Sequence, residues 1–219
     1  MKQRNNEYIP ALKYDWLTSI YDLLMRWLLR EATFKRQLLN QTQISSGYRV
    51  LDLGCGTGTL TLLTKQAHPG AEIIGLDGDP KALQIARNKA TRDQLAITFD
   101  EGLAQQLPYP DHSFERVVSS LLFHHLTREN KQKVLHEALR VLRPGGELHV
   151  ADWGQPKNKL MRAAFLLVQI LDGFETTTDN VNGELPRLFS AAGFQDVQQR
   201  SQFGTLFGTI ALYQAIKPE

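Results

Sequence analysis

Two carboxylates and a run of alternating glycines carry the strongest chemical signal in the chain. Val50-Leu51-Asp52-Leu53 runs into Gly54-Cys55-Gly56-Thr57-Gly58. In that pattern an apolar run delivers the backbone to a turn with little side-chain bulk. Such a turn lets a ligand approach closely, with free N–H groups and the positive end of the following helix facing it. The acidic residue two positions before the first glycine narrows the choice of ligand, because a carboxylate at Asp52 suits an ammonium group and not a pyrophosphate. Two phosphate-binding patterns fail on the residues themselves. The G-x-G-x-x-G dinucleotide fingerprint needs glycine where Thr59 stands, and no Gly-Lys-Ser/Thr follows for a Walker loop. Asp77 ends the next apolar run, near the ~20-residue distance at which an acidic residue grips a ribose diol. A carboxylate accepts two hydroxyl hydrogen bonds side by side.

These groups need elements to place them. Arg49 to Leu53 is predicted as a strand, followed after the glycine turn by a helix from Thr59 to about Gln66. Glu72 to Asp77 is predicted as the second strand and Pro80 to Ala90 as a helix with proline at its start. Leu95 to Phe99, Phe114 to Ser119 and Glu147 to Asp152 supply three more strands. The long helix Glu129 to Leu142 precedes the last of them and stops at Pro144-Gly145-Gly146. Strands alternating with helices call for a mostly parallel, doubly wound sheet covered on both faces, an α/β Rossmann-like domain. Phe194 to Phe203 and Leu206 to Ile216 read as a final antiparallel hairpin, bringing the sheet to seven strands. Ahead of the sheet, Ile20, Leu23, Leu24, Trp27 and Leu28 fall on one helical face, and the pattern resumes through Phe34, Leu38 and Leu39. Between Trp153 and Asn182 the alternation breaks: Met161 to Leu171 is an apolar helix, Glu175 to Asn182 a polar run, and Glu184 to Ala192 another helix. The division is a single domain over 1–219, with a helical cap at 1–46, a ligand-binding core at 47–152, an insertion at 153–187 and the hairpin at 188–219.

Bulk properties exclude several classes. The 219 residues carry a formal net charge of +2, without the basic excess of a dedicated nucleic-acid binder. The lone Cys55 forbids an intrachain disulfide. The polar start lacks the apolar core of a signal peptide, and no apolar stretch approaches the ~18–20 residues of a membrane span. The chain is expected to be cytoplasmic, free of nucleic acid and integral membrane association, and a monomer or homodimer.

With these segments in view, the sequence resembles the class I S-adenosylmethionine-dependent methyltransferases. The match runs in order through Asp52 to Gly58, Gly75-Leu76-Asp77, Leu107 to Phe114 and Leu139 to Gly146. Within that superfamily it is most similar to the small-molecule branch that includes the ubiquinone/menaquinone-biosynthesis methyltransferases. The resemblance implies S-adenosyl-L-methionine as cofactor and S-adenosyl-L-homocysteine as product. Asp52, Gly54, Cys55, Gly56, Thr57 and Gly58 would face the methionyl moiety, and Asp77 the ribose. Gly78 would lie near the adenine. Gly102-Leu103 stands where the family commonly reads Gly-Asp, so Leu103 replaces the carboxylate that takes the adenine amino group. The Ser119 backbone would meet the methionyl amine, and Tyr14 and Tyr21 would cover the ligand or pack their helix onto the sheet.

Methyl transfer from a sulfonium is an in-line displacement with a good neutral leaving group, so alignment in a water-poor pocket supplies much of the catalysis. A base matters only where the acceptor must lose a proton. His124, His125 and Asp152, near strand ends, are the candidates. The adjacent histidines are poorly spaced as ligands and lack a companion carboxylate or cysteine cluster, so no metal is expected. The apolar helix of the insertion would lie over the acceptor, favouring a small hydrophobic or aromatic molecule methylated at O, N or C. The alternatives are a nicotinamide-dependent oxidoreductase on the same sheet, or a non-catalytic cofactor-binding or scaffold protein.

Overall fold

The computed structural model describes residues 31–219, so Tyr14, Tyr21 and the apolar face from Ile20 to Leu28 lie outside the described residues. The first described helix is α1 (Glu31–Thr42). It is followed by β1 (Arg49–Leu53), α2 (Thr59–Ala67), β2 (Glu72–Asp77), α3 (Pro80–Arg92), β3 (Thr98–Glu101) and β4 (Phe114–Ser120). A single 3-10 turn, Phe123–His125, leads to α4 (Arg128–Val141), β5 (Leu142–Gly154), α5 (Lys159–Asp172), α6 (Phe174–Val181), α7 (Leu185–Ala191), β6 (Gln195–Thr205) and β7 (Gly208–Ile216).

The strands form one seven-stranded sheet in the order β3-β2-β1-β4-β5-β7-β6. Neighbours from β3 to β5 pair in parallel, while β7 runs antiparallel to both β5 and β6. The Rossmann-like sheet with its C-terminal antiparallel hairpin is therefore the observed fold. Because the chain leaves β1 first for β2 and later returns to β4, the carboxyl ends of β1 and β4 border a crevice at the reversal of strand order.

The central strands are buried on both faces, which is why they read as apolar runs. Leu51, Leu53, Ile74, Leu76, Val117 and Leu148 pack on one face with Val134, Leu135 and Ala138 of α4 and Phe189 of α7. Val50, Ile73 and Val118 pack on the other with Phe34 and Leu38 of α1 and Phe165 of α5. Among the described residues no helix is long and apolar enough to cross a membrane.

Three boundaries depart from the sequence reading. β3 begins at Thr98, not Leu95, because α3 continues to Arg92 and closes through Gln94 at φ 53 and a Leu95 N–H to Ala90 carbonyl bond. Leu95 and Ile97 then pack against the Leu83–Ala86–Phe99 cluster from outside the sheet. β5 begins at Leu142, with Phe114 opposite Leu142 before a register shift, so Pro144-Gly145-Gly146 lies within the paired strand. The largest difference is the polar run Glu175 to Asn182, most of which forms α6. Its threonine hydroxyls bond back to carbonyls a turn earlier (Thr177 to Gly173 at 2.6 Å), and Thr177, Asp179 and Asn180 are buried against polar partners. No apolar period marks such a helix.

Phe189 is fully buried between the rings of Phe123, Phe194 and Tyr213, with centroids 5.8, 6.4 and 5.9 Å away. Phe189→Ala should lower the unfolding free energy by about 3–5 kcal/mol in a urea titration. A loss under about 1 kcal/mol would contradict this packing.

Candidate functional site

The glycine turn is held from below by β2 and from the side by α3. The Gly54 and Cys55 amides donate to the Leu76 carbonyl at 2.9 and 3.0 Å, and the Gly58 amide to the Cys55 carbonyl at 2.9 Å. The Gly56 amide donates to Asp77 Oδ2 at 2.7 Å. The sequence led to the expectation of free N–H groups at this turn. Those four are instead donated within the protein: three to the Leu76 carbonyl and the Asp77 carboxylate at the end of β2, and that of Gly58 to Cys55 within the turn. Thr57 is also engaged, its carbonyl and hydroxyl accepting from Lys89 Nζ at 2.9 and 3.0 Å.

The glycines serve different ends. Gly58, at φ 77, closes on α3 so tightly that a Cβ would sit 2.8 Å from the Ala86 Cβ. Gly56 has φ 53, and no described residue comes within 4 Å of a Cβ placed there. Cys55 points into the core: it is buried, and burial raises its thiol pKa, so it contributes packing.

Asp52 is 1% exposed. Oδ2 accepts from the Thr61 hydroxyl at 2.6 Å, while Oδ1 is buried and, among the described residues, has no hydrogen-bond partner. Burial pushes its pKa up to about 6; the Thr61 bond and the Lys35 ammonium of α1 offset part of that cost, and the Asp77 charge adds to it. A buried carboxylate with one unmet oxygen is costly unless a cation or donor arrives.

Asp77 is the neighbouring carboxylate. Besides Gly56, it accepts the Asp79 amide on Oδ1 at 2.9 Å, leaving lone pairs on both oxygens for further donors. Burial raises its pKa, and those amide bonds work against the rise. Gly78 follows directly, before the Asp79 side chain caps α3 through the Lys81 amide. The Gly102 amide donates to the Asp77 carbonyl at 3.0 Å, bringing the end of β3 to the same corner. Leu103 beside it is 45% exposed, an apolar surface at the crevice edge. The Ser119 hydroxyl is buried and donates to the Leu53 carbonyl at 2.8 Å, tying β4 to β1.

At the ends of β4 and β5 a second cluster forms. Leu121 turns the chain out of the sheet at φ 60, unusual for a residue with a branched side chain, and its amide donates to the Ala151 carbonyl. Leu122 then covers Gly54, where a Cβ would lie 2.9 Å from it. Asp152 is completely buried and accepts four donors: the Phe123 amide at 2.7 Å, the Trp153 amide at 2.7 Å, His124 Nδ1 at 2.9 Å and Asn180 Nδ2 at 3.0 Å. Both its oxygens are occupied by donors, His124 among them. Burial opposes charge on His124, but the Asp152 and Asp172 carboxylates outweigh it and hold its pKa above the ordinary imidazole value. The charge on His124 lowers the pKa of the exposed His125 beside it.

Sequence reasoning singled out Asp52, Asp77, the glycines, the histidine pair and Asp152, which gather in these two clusters; it did not anticipate the left-handed turn at Leu121 or the approach of Asp172 and Asn180. A positive φ at leucine leaves no sequence signal, and Asp172 and Asn180 reach the site only through the fold of the insertion. The apolar helix α5, expected to lie over an acceptor, buries Phe165 against Trp153 (5.1 Å between centroids) while Leu160, Leu167 and Ile170 are exposed.

Residues 50–146 match a family model described as a methyltransferase domain. An uncharacterized methyltransferase of Synechocystis sp. is 31% identical over 206 residues, covering 94% of this chain and 93% of that protein. The demethylmenaquinone methyltransferase of Deinococcus radiodurans is 38% identical over 149 residues, covering 67% of this chain and 61% of that one. Among solved structures, a Haemonchus contortus phosphoethanolamine N-methyltransferase in complex with phosphomonomethylethanolamine and S-adenosylhomocysteine superposes with a TM-score of 0.70. At 16% identity, over 85% of this chain and 53% of that one, it is alike in fold.

The Asp52 charge has a consequence for stability. Its folded pKa of about 6 lies above the unfolded value, so the stability of its protonated form is lost as pH rises through 6. Asp52→Asn should therefore be more stable than the wild type at alkaline pH by about 1–3 kcal/mol, with the gain shrinking as pH falls toward the ordinary carboxylate range. Urea unfolding across that range checks this, and a pH-independent difference would contradict it.

Proposed function

The chain belongs to the class I S-adenosylmethionine-dependent methyltransferases, and from that premise we propose that it methylates O, N or C of a small hydrophobic or aromatic acceptor at the ends of β1, β2 and β4. The observation that carries the site assignment is Asp52: a buried carboxylate with one oxygen unpartnered among the described residues, beside a turn where none of them comes within 4 Å of a Cβ placed at Gly56. That arrangement fits a ligand with an ammonium group, and the spare lone pairs of Asp77 fit a ribose diol.

When bound, S-adenosylmethionine supplies a methyl group on a positively charged sulfur, and S-adenosylhomocysteine is the product. Asp52 offers its carboxylate to the amino group of the methionyl tail. Asp77 orients the ribose while its amide bonds keep the turn in place. Leu103 gives the adenine an apolar edge where a carboxylate is common in the family the sequence resembles. His124 is fixed by Asp152, and in the metal-free protein its charge keeps His125 neutral, with a ring nitrogen able to accept a hydrogen bond from an acceptor hydroxyl. The acceptor assignment draws on the demethylmenaquinone methyltransferase relative, whose name denotes a quinone substrate. The oxidoreductase alternative is not favoured, since the third fingerprint glycine is absent.

Isothermal titration with S-adenosylmethionine and S-adenosylhomocysteine, followed by labelled-methyl transfer to a panel of quinols and phenols, tests this reading. Asp77→Ala should weaken cofactor binding by roughly tenfold or more and Asp77→Asn by less, in keeping with the loss of one or two charge-assisted hydrogen bonds. Equal wild-type affinity in both variants would overturn the ribose assignment. Because Asp52 is about half protonated near pH 6, binding of a cationic ligand there should release a fraction of a proton, seen as a buffer-dependent binding enthalpy. Asp52→Asn should abolish that release, and an identical buffer dependence in the variant would contradict the placement of the amine.

A further inference from the structure

His124, His125 and Asp172 form a cluster that the transfer reading leaves only partly used. His124 Nδ1 is held by Asp152 Oδ1 at 2.9 Å, which leaves Nε2 as the ring atom toward Asp172, 3.8 Å from its Oδ2. The His125 ring lies alongside, with centroids 3.9 Å apart. One ligand atom from each of the three residues lies within 4.8 Å of the other two. We propose that His124, His125 and Asp172 bind a divalent transition-metal ion of the zinc class, with Asp152 as the outer carboxylate that orients His124.

The chemistry of the donors sets the class of ion. Two imidazoles and one carboxylate suit zinc and its neighbours, not calcium or magnesium, which take oxygen ligands. Bonds of ~2.0–2.1 Å at a tetrahedral angle place ligand atoms about 3.3 Å apart. Closure therefore needs inward shifts of order 1 Å. Asp172 is the last residue of α5, followed by Gly173 at φ 98, and His125 is exposed, so both have room to move. Asp152 supplies what metal-bound histidines ordinarily have, a carboxylate on the second ring nitrogen that fixes tautomer and orientation. It is itself fixed by the Phe123 and Trp153 amides and by Asn180. The sequence alone led to no metal being expected, because adjacent histidines are poorly spaced as ligands and lacked a companion carboxylate or cysteine cluster. The turn between α5 and α6 brings one from Asp172, 47 residues beyond His125.

The test uses the full chain, stripped of metal by a chelator and dialysed. Zinc is titrated by calorimetry and cobalt(II) by visible absorption. The expected result is stoichiometric zinc with a Kd of about 1 µM or tighter, and cobalt d–d bands of a low-coordinate site. Asp172→Asn and His125→Gln should each weaken zinc by at least roughly tenfold, while His68→Gln, at the far end of α2, should not. S-adenosylhomocysteine binding and circular dichroism, measured on the same variants, report folding and the cofactor site separately. No zinc or cobalt binding at about 100 µM overturns the proposal. So does binding indifferent to both ligand variants. Either result alongside intact S-adenosylhomocysteine binding leaves the transferase reading standing.

Discussion

A charge buried where it is only half satisfied sets the terms for the glycine corner. Asp52 sits on a strand buried from Val50 to Leu53, bonded to Thr61 on one oxygen and, among the described residues, to nothing on the other. Folding tolerates it because the Thr61 hydroxyl and the Lys35 ammonium offset part of the desolvation, and because the pKa rises instead of the strand failing to form. The side-chain-poor backbone of Gly56 and the second carboxylate of Asp77 gather at the same corner, where a ligand could complete the unmet oxygen. The Asp77 bond to the Gly56 amide couples the two: the acid assigned to the sugar also holds the turn that faces the tail.

Asp152 plays the corresponding part on the other side of the crevice. Four donors from three elements converge on one carboxylate, so the 3-10 turn, the end of β5 and helix α6 are held together through a single side chain. The insertion is thereby fastened to the core by polar contacts as well as apolar ones. Lys131 of α4 extends the network, bonding the Thr176 carbonyl and pairing with Asp179. Removing one member of such a buried set leaves the others unpaired, so its cost exceeds that of one hydrogen bond. His124 is positioned by this network, and His125 by the short turn, its amide donating to the Leu122 carbonyl.

The parts of the site that depend on local sequence were legible in it. Asp52, the glycine alternation and Asp77 follow from spacing along two strands and one turn, and the parallel sheet followed from apolar runs alternating with helices. What depended on long-range contact was not legible. The pairing of His124 with Asp152 joins residues 28 positions apart, and Asn180 comes from a segment with no apolar period. Helix α6 went unseen because three of its four buried residues are Thr177, Asp179 and Asn180, beside a single apolar Val181, and their burial is made tolerable by polar partners. The free amides expected at the glycine turn were lost for the same reason: Asp77 and Leu76, on the next strand, accept three of the four.

The central claim is that Asp52 and Asp77 divide one ligand between them, the first its amino-acid end and the second its sugar. A crystal structure of the protein grown with S-adenosylhomocysteine tests this most directly. The account predicts the ligand amine within hydrogen-bonding reach of Asp52 or one water from it, and both ribose hydroxyls on the Asp77 carboxylate. A nucleoside bound elsewhere, with Asp77 still engaged only by Gly56 and Asp79, would contradict it.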